Sequence, residues 1–161
     1  MNLYAHSKPD EPPENWQPLD KHLANVAKLA AKFAENFDSA DWAHNAACLH
    51  DIGKADSAFQ GYLIRENGLD DSDYDSGRIN HSSAGAAFAK ENLANCAGLV
   101  LAYLAAGHHA GLPDWFSSDT GNAALSVRLV EGGSNLTKIR QYAESISKKL
   151  VPCTIPPKFV K

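Results

Sequence analysis

Six side chains have the types and spacing of a metal-assisted hydrolytic site: His22, the adjacent His50-Asp51, His81, and the adjacent His108-His109. An imidazole offers a neutral nitrogen and an aspartate a hard oxygen, a pairing that suits first-row transition ions. A carboxylate can also bridge two ions, which an imidazole cannot. Taken singly, each histidine reads equally well as a satisfied or exposed side chain, and His50-Asp51 as a core-facing histidine followed by a solvated helix-end aspartate. Five histidines at helix ends or core faces, joined by an aspartate, point instead to a metal centre. Lys54, three residues after Asp51, has two readings: a cation for a substrate phosphate, or a solvated lysine favourable to a helix end. A Cys48–His50 nucleophile is rejected, because residues two apart on a helix do not face each other. His44 reads as surface. His6 stays open between a supporting position and plain exposure.

The elements that must carry these residues are helical. From Leu19 the apolar positions 19, 23, 26, 27, 30, 33, 34 and 37 form one helix stripe, with His22 at or beside it. Asp38 or Ser39 is placed to cap a second helix. That helix leads to His50-Asp51 and is expected to stop at Gly53. A short helix starts at Asp56 or Ser57. Residues 67–80 read as a long acidic loop. Ser82 or Ser83 is expected to cap a helix to about Leu93, placing His81 just before it. The apolar run Cys96–Gly107 reads as a buried helix, being rich in Ala and Leu. His108 and His109 follow it; consecutive helical residues point about 100° apart. Both address one site only if the helix end unwinds, which Gly107 and Gly111 permit. Weaker helices are expected over 121–131 and 137–150. No strand pattern is visible. The fold class is therefore all-α, with five to seven helices around a metal site. An extended Pro-rich arm spans 1–17, the helical domain 18–150 and a non-helical tail 151–161.

Composition limits the partners. The chain has 161 residues, enough for one domain. Fifteen Lys and Arg against nineteen Asp and Glu give a formal charge of −4, not the footprint of a protein that holds nucleic acid by surface charge alone. The twelve-residue apolar run is too short for a bilayer, which needs about 20, and no signal peptide is visible, so no membrane role and a cytoplasmic setting are expected. The three cysteines lie far apart with no CxxC, against a disulfide framework or zinc ribbon.

The order H…HD…H…HH on a helical chain resembles the HD phosphohydrolase superfamily. Several stretches narrow it to the CRISPR-associated HD nuclease, the domain that accompanies or is fused to the helicase of type I CRISPR systems. They are Pro12-Pro13-Glu14-Asn15-Trp16-Gln17-Pro18-Leu19 with His22-Leu23; Leu49-His50-Asp51-Ile52-Gly53-Lys54 with Phe59-Gln60; Asn80-His81-Ser82; and Ala106-Gly107-His108-His109-Ala110-Gly111-Leu112-Pro113. The resemblance covers roughly residues 4–115. It implies a nuclease that cuts single-stranded DNA within the strand and from an end, using two divalent transition-metal ions (manganese, nickel, iron or cobalt rather than magnesium). His22, His50 and Asp51 would hold one ion, and Asp51, His81, His108 and His109 the other. A metal-bound hydroxide would attack phosphorus, with Asp51 bridging and Lys54 on the scissile phosphate. Implied partners are the CRISPR helicase domain and the RNA-guided surveillance complex. One departure stands out: the family carries a further aspartate on a later helix, in a run such as V-D-A-D. After His109 this chain offers Asp114, Asp119, Glu131 and Glu144, none in that context. The expectation is an N-terminal piece of a longer nuclease-helicase.

Two alternatives use the same residues. An HD-family nucleotide phosphohydrolase or phosphodiesterase would show a closed pocket with base-reading groups, where a nuclease shows an open groove. A metal-stabilised binding module would be held by a structural ion, but such sites are usually closed and cysteine-rich.

Overall fold

The computed structural model describes residues 2–70, 79–116 and 123–155. Among these, seven α-helices and one two-stranded ladder make up the fold. The helical reading holds. Most of the expected acidic loop (71–78) and the tail beyond residue 155 lie outside the described residues.

The Pro-rich arm is folded. Strand β1 (Tyr4–His6) pairs antiparallel with β2 (Gln17–Pro18), and a 3-10 turn covers Pro13–Asn15 between them. No periodicity announces this ladder, because long-range contacts create it. Ala5 is buried in the core, and the Leu3 carbonyl accepts from the Leu19 amide at 2.8 Å. Trp16 is buried with Phe59 and Leu63 in a satellite cluster, and its Nε1 donates to the Glu11 carbonyl at 2.8 Å.

Helix α1 (Leu19–Ala34) buries Leu19, Leu23, Ala27 and Ala34, the face read from the stripe, against α2 (Ala40–Leu49). Ser39 precedes α2 but does not cap it through its side chain; its hydroxyl donates to the Phe37 carbonyl at 3.1 Å. Helix α2 stops at Leu49, and Gly53 lies inside a following 3-10 turn, Ile52–Ala55. Asp56 caps α3 (Ser57–Glu66), its Oδ1 accepting from the Ala58 amide at 2.9 Å.

Helix α4 (Ser82–Asn92) is the centre of the domain. Its residues from Ser82 to Ala89 are all buried, and it packs against α5 (Asn95–Gly107) and α6 (Leu125–Lys138). Small residues let its neighbours approach closely, while Phe88 fills the space between them. Burying such a side chain contributes roughly 1.5–3 kcal/mol. The α4 cap is not a serine hydroxyl but the Asn80 carboxamide, whose Oδ1 accepts from the amides of Ser82 (3.2 Å) and Ser83 (3.3 Å).

Helix α6 corrects the sequence reading, which ended a helix near 131. It runs through Gly132-Gly133 to Lys138, and residue 132 has no room for a side chain, which would collide with the Ser83 carbonyl of α4. Residues 121–122 of that expected helix lie outside the described residues. Helix α7 (Arg140–Ser147) is shorter than the 137–150 expected, and buries Ala143 and Ile146. The segment after it is tied to α2: Asn45 Nδ2 donates to the Val151 carbonyl (2.7 Å) and Asn45 Oδ1 accepts from the Val151 amide (3.0 Å). His44, read as surface, is partly buried with Nε2 2.9 Å from the Lys149 carbonyl. No helix among the described residues is long and apolar enough to cross a membrane.

Candidate metal centre

The five histidines selected from the sequence converge on the carboxylate of the sixth residue, Asp51, the six being delivered by four separate parts of the chain. His22 projects from the end of the first turn of α1, and His50 and Asp51 leave the end of α2. His81 precedes α4. His108 and His109 follow α5 in a turn where the Gly111 amide bonds back to the Gly107 carbonyl (2.7 Å) and Gly111 takes φ +85°. That turn unwinds the helix end as required, and it brings the two rings to a centroid separation of 4.0 Å.

Two glycines set the distances between these parts. A Cβ at Gly85 would strike the Leu49 carbonyl, and one at Gly53 would strike the His81 carbonyl. The backbone of α4 can therefore lie directly against the His50-Asp51 turn. Gly53 serves this close approach rather than terminating α2.

Asp51 is only 3% exposed, and its two oxygens face different partners. Oδ2 lies 3.1 Å from His22 Nε2, 3.2 Å from His50 Nε2 and 2.8 Å from Lys54 Nζ. Oδ1 lies 3.3 Å from His108 Nε2 and 3.4 Å from His81 Nε2. The rings are held from behind. Nδ1 of His50 donates to the Ala47 carbonyl (2.7 Å), Nδ1 of His108 to the Ala105 carbonyl (2.7 Å), and Nδ1 of His81 approaches the Ile79 carbonyl (3.3 Å). A carbonyl only accepts, so Nδ1 of each ring carries a proton; a ring that carries no second proton then turns its Nε2 lone pair inward, the arrangement of metal-ligating histidines.

These inward atoms lie close to one another. His81 Nε2 and His109 Nε2 are 2.8 Å apart, and His22 Nε2 and His50 Nε2 3.3 Å. Asp51 Oδ1 is buried and accepts no hydrogen bond. An orphaned buried carboxylate oxygen among nitrogen lone pairs fits a divalent ion that accepts both donor types. Donor atoms of Asp51, His81, His108 and His109 lie within 4.8 Å of one another, and so do those of His6, His22 and Asp51. Histidines 22, 50, 81 and 108 expose between 12% and 19% of their side chains, so a ligand can reach the centre.

Burial pushes the Asp51 carboxyl up, but the imidazoles of His108, His22, His50 and His81, where they present a proton to it in the metal-free chain, more than reverse this and hold it far below the usual carboxylate range. Burial pushes His109 down, helped by His108 and His81; His6 is pushed down by burial, then by Lys54 and His22. Both therefore favour the neutral, ligating form.

Lys54 is not the solvated helix-end cation of one sequence reading: it is 5% exposed, with its ammonium on Asp51. Cys48 is buried beside His44 at 3.5 Å, and burial pushes its thiol up, consistent with no nucleophilic role. Sequence reasoning left His6 open and missed the task of Gln60. The Gln60 side chain grips Tyr4 at both its amide and carbonyl (2.9 Å each) and donates to the Lys54 carbonyl (2.6 Å). An open cleft of about 430 Å³ adjoins His81 and His109, lined also by Asn80, Arg128 and Glu131. Arg128 Nη1 donates to the Ala106 carbonyl at 2.5 Å.

Residues 5–152 match the family model described as Cas3, HD domain. The chain belongs to the Cas3 HD domain family. No curated protein matches it. The Cas3 HD domain is a metal-dependent hydrolase of CRISPR systems, and the Asp51 cluster supplies donors of the kind this chemistry needs.

Proposed function

We propose that this chain cuts single-stranded DNA, within the strand and from an end, during type I CRISPR interference. The observation that carries this reading is the division of labour on Asp51. Oδ2 faces His22 and His50, and Oδ1 faces His81 and His108, as a carboxylate shared between two ions would be arranged. His22, His50 and Asp51 would hold one divalent transition ion, and Asp51, His81, His108 and His109 the other. Bound ions supply Lewis acidity at phosphorus and a nucleophile from water at neutral pH.

The chain's own residues do the rest. The backbone carbonyls behind His50, His81 and His108 fix which ring nitrogen faces the substrate. Lys54, once Asp51 turns to another cation, is the group within reach to take a phosphate oxygen. The open cleft beside His81 and His109 suits an extended strand better than an enclosed nucleotide. With a formal charge of −4, the chain gains its grip on DNA from a CRISPR helicase domain and the RNA-guided complex. A cytoplasmic setting belongs to the same proposal.

The test is cleavage of circular single-stranded DNA with manganese or nickel, beside an Asp51→Asn variant. Cutting that needs metal and is lost in the variant supports the reading. Hydrolysis of nucleotides or cyclic nucleotides with intact circles would move the assignment to the nucleotide phosphohydrolases.

A further inference from the structure

We propose that His6, on strand β1, is a ligand of the ion held on the His22 side of Asp51. This deepens the two-ion reading above and rests on it. The cluster on the other side has three histidines and the carboxylate. The His22 side has His22, His50 and the carboxylate, and among the described residues no second carboxylate joins it. What does join it is His6. A ring nitrogen of His6 lies within 4.8 Å of donor atoms on both His22 and Asp51. The rings of His6 and His22 meet edge to face, with centroids 4.9 Å apart. His6 Nε2 is also 3.5 Å from Lys54 Nζ, the ammonium that rests on Asp51 Oδ2. Donors shared by one ion, each about 2.1 Å from it, stand up to about 4.2 Å apart, so this triangle closes with a small shift.

The second observation is that His6 is held in place before any ion arrives. A histidine on a loose arm would spend binding energy on ordering itself. Here Ala5 is buried, Gln60 fastens the backbone of Tyr4 on both sides, and the Leu3 carbonyl is bonded to the start of α1. The same Gln60 holds the Lys54 carbonyl, so the His6 strand and the His50-Asp51 turn are clamped by one side chain. The ammonium of Lys54 marks the position as one where Asp51 takes a positive charge.

The experiment is calorimetric titration of the metal-free chain with manganese, repeated with cobalt while its visible absorption is followed. The variants are His6→Ala and, as a control that removes a histidine away from the cluster, His44→Ala. The native chain is expected to bind two ions per molecule. His6→Ala is expected to keep the first and weaken the second by more than the roughly 10- to 100-fold that losing an outer partner costs. Its cobalt spectrum should change for the second ion alone, and its metal-free melting temperature should stay near native, since His6 is exposed. Two ions bound equally well by the native chain and His6→Ala would overturn the assignment of His6 and leave the two-ion reading standing. A single ion in the native chain would also overturn it, and no ion at all would take the proposed function with it.

Discussion

Lys54 Nζ stands 2.8 Å from Asp51 Oδ2, with the two side chains only 6% and 4% exposed. A lysine so placed needs its carboxylate. In the metal-free chain the ammonium partly neutralises a charge that the surrounding lone pairs cannot. Removing one member of such a pair strands the other, whereas removing both does not.

Asp51→Ala is therefore expected to destabilise the metal-free fold, by about 3 kcal/mol, as well as abolish metal-dependent cleavage. Asp51→Ala combined with Lys54→Met should recover much of that stability and none of the activity. Urea denaturation of the two single variants and the double variant measures this coupling. Additive losses would show that the pair is not a unit.

Two glycines should respond with opposite sign. Gly85→Ala places a methyl group against the Leu49 carbonyl and must push α4 away from the His50-Asp51 turn. A loss of about 1–3 kcal/mol is expected, together with weaker metal binding as His81 moves. Gly133 sits within α6 with nothing near its missing Cβ. Gly133→Ala should stabilise by about 0.5–1 kcal/mol. Thermal melts of both variants suffice.

Acid should destabilise the metal-free chain in a defined order. His6 and His109 have folded values below the ordinary 6.5. The unfolded chain therefore takes up protons first, and the stability they contribute is present above about pH 6.5 and lost as pH falls toward the folded values. Asp51, held far below its ordinary 3.8, contributes stability that is present above pH 3.8 and lost only in stronger acid. Melting temperature should be flat from pH 8 to 7 and then decline. His6→Asn with His109→Asn should make the first decline shallower.

Bound ions should raise stability by mass action. At a free concentration of 100 times the dissociation constant, one site adds about 2.7 kcal/mol. Manganese or cobalt should raise the melting temperature, EDTA should reverse the rise, and Asp51→Asn should show none. A melting temperature indifferent to metal would count against a resident ion.

Residue type and order were enough to single out His22, His50, Asp51, His81, His108 and His109 as candidates, because metal chemistry restricts which side chains can serve, and the fold brings these six together. Period and composition were enough for the helices, since α1 declares a buried face and α5 a helical length within one local window, although α5 is not buried throughout: Cys96, Val100 and Leu104 are exposed. What tertiary structure decided lies between segments. Gly53 looked like a helix terminator and is instead the place where the His81 carbonyl passes. The helix expected to end at 131 continues through Gly132-Gly133, and residue 132 must lack a side chain because α4 runs close beside it. Asn80 caps α4 in place of the serines. Strand β1 has no pattern of its own and exists through its pairing with β2 and its clamp from Gln60, 56 residues from Tyr4. Lys54 could not be read as buried, nor His6 as a neighbour of the centre, since burial and proximity across such separations are properties of the packed chain. Local sequence encodes what a residue can do; only packing decides which residues do it together.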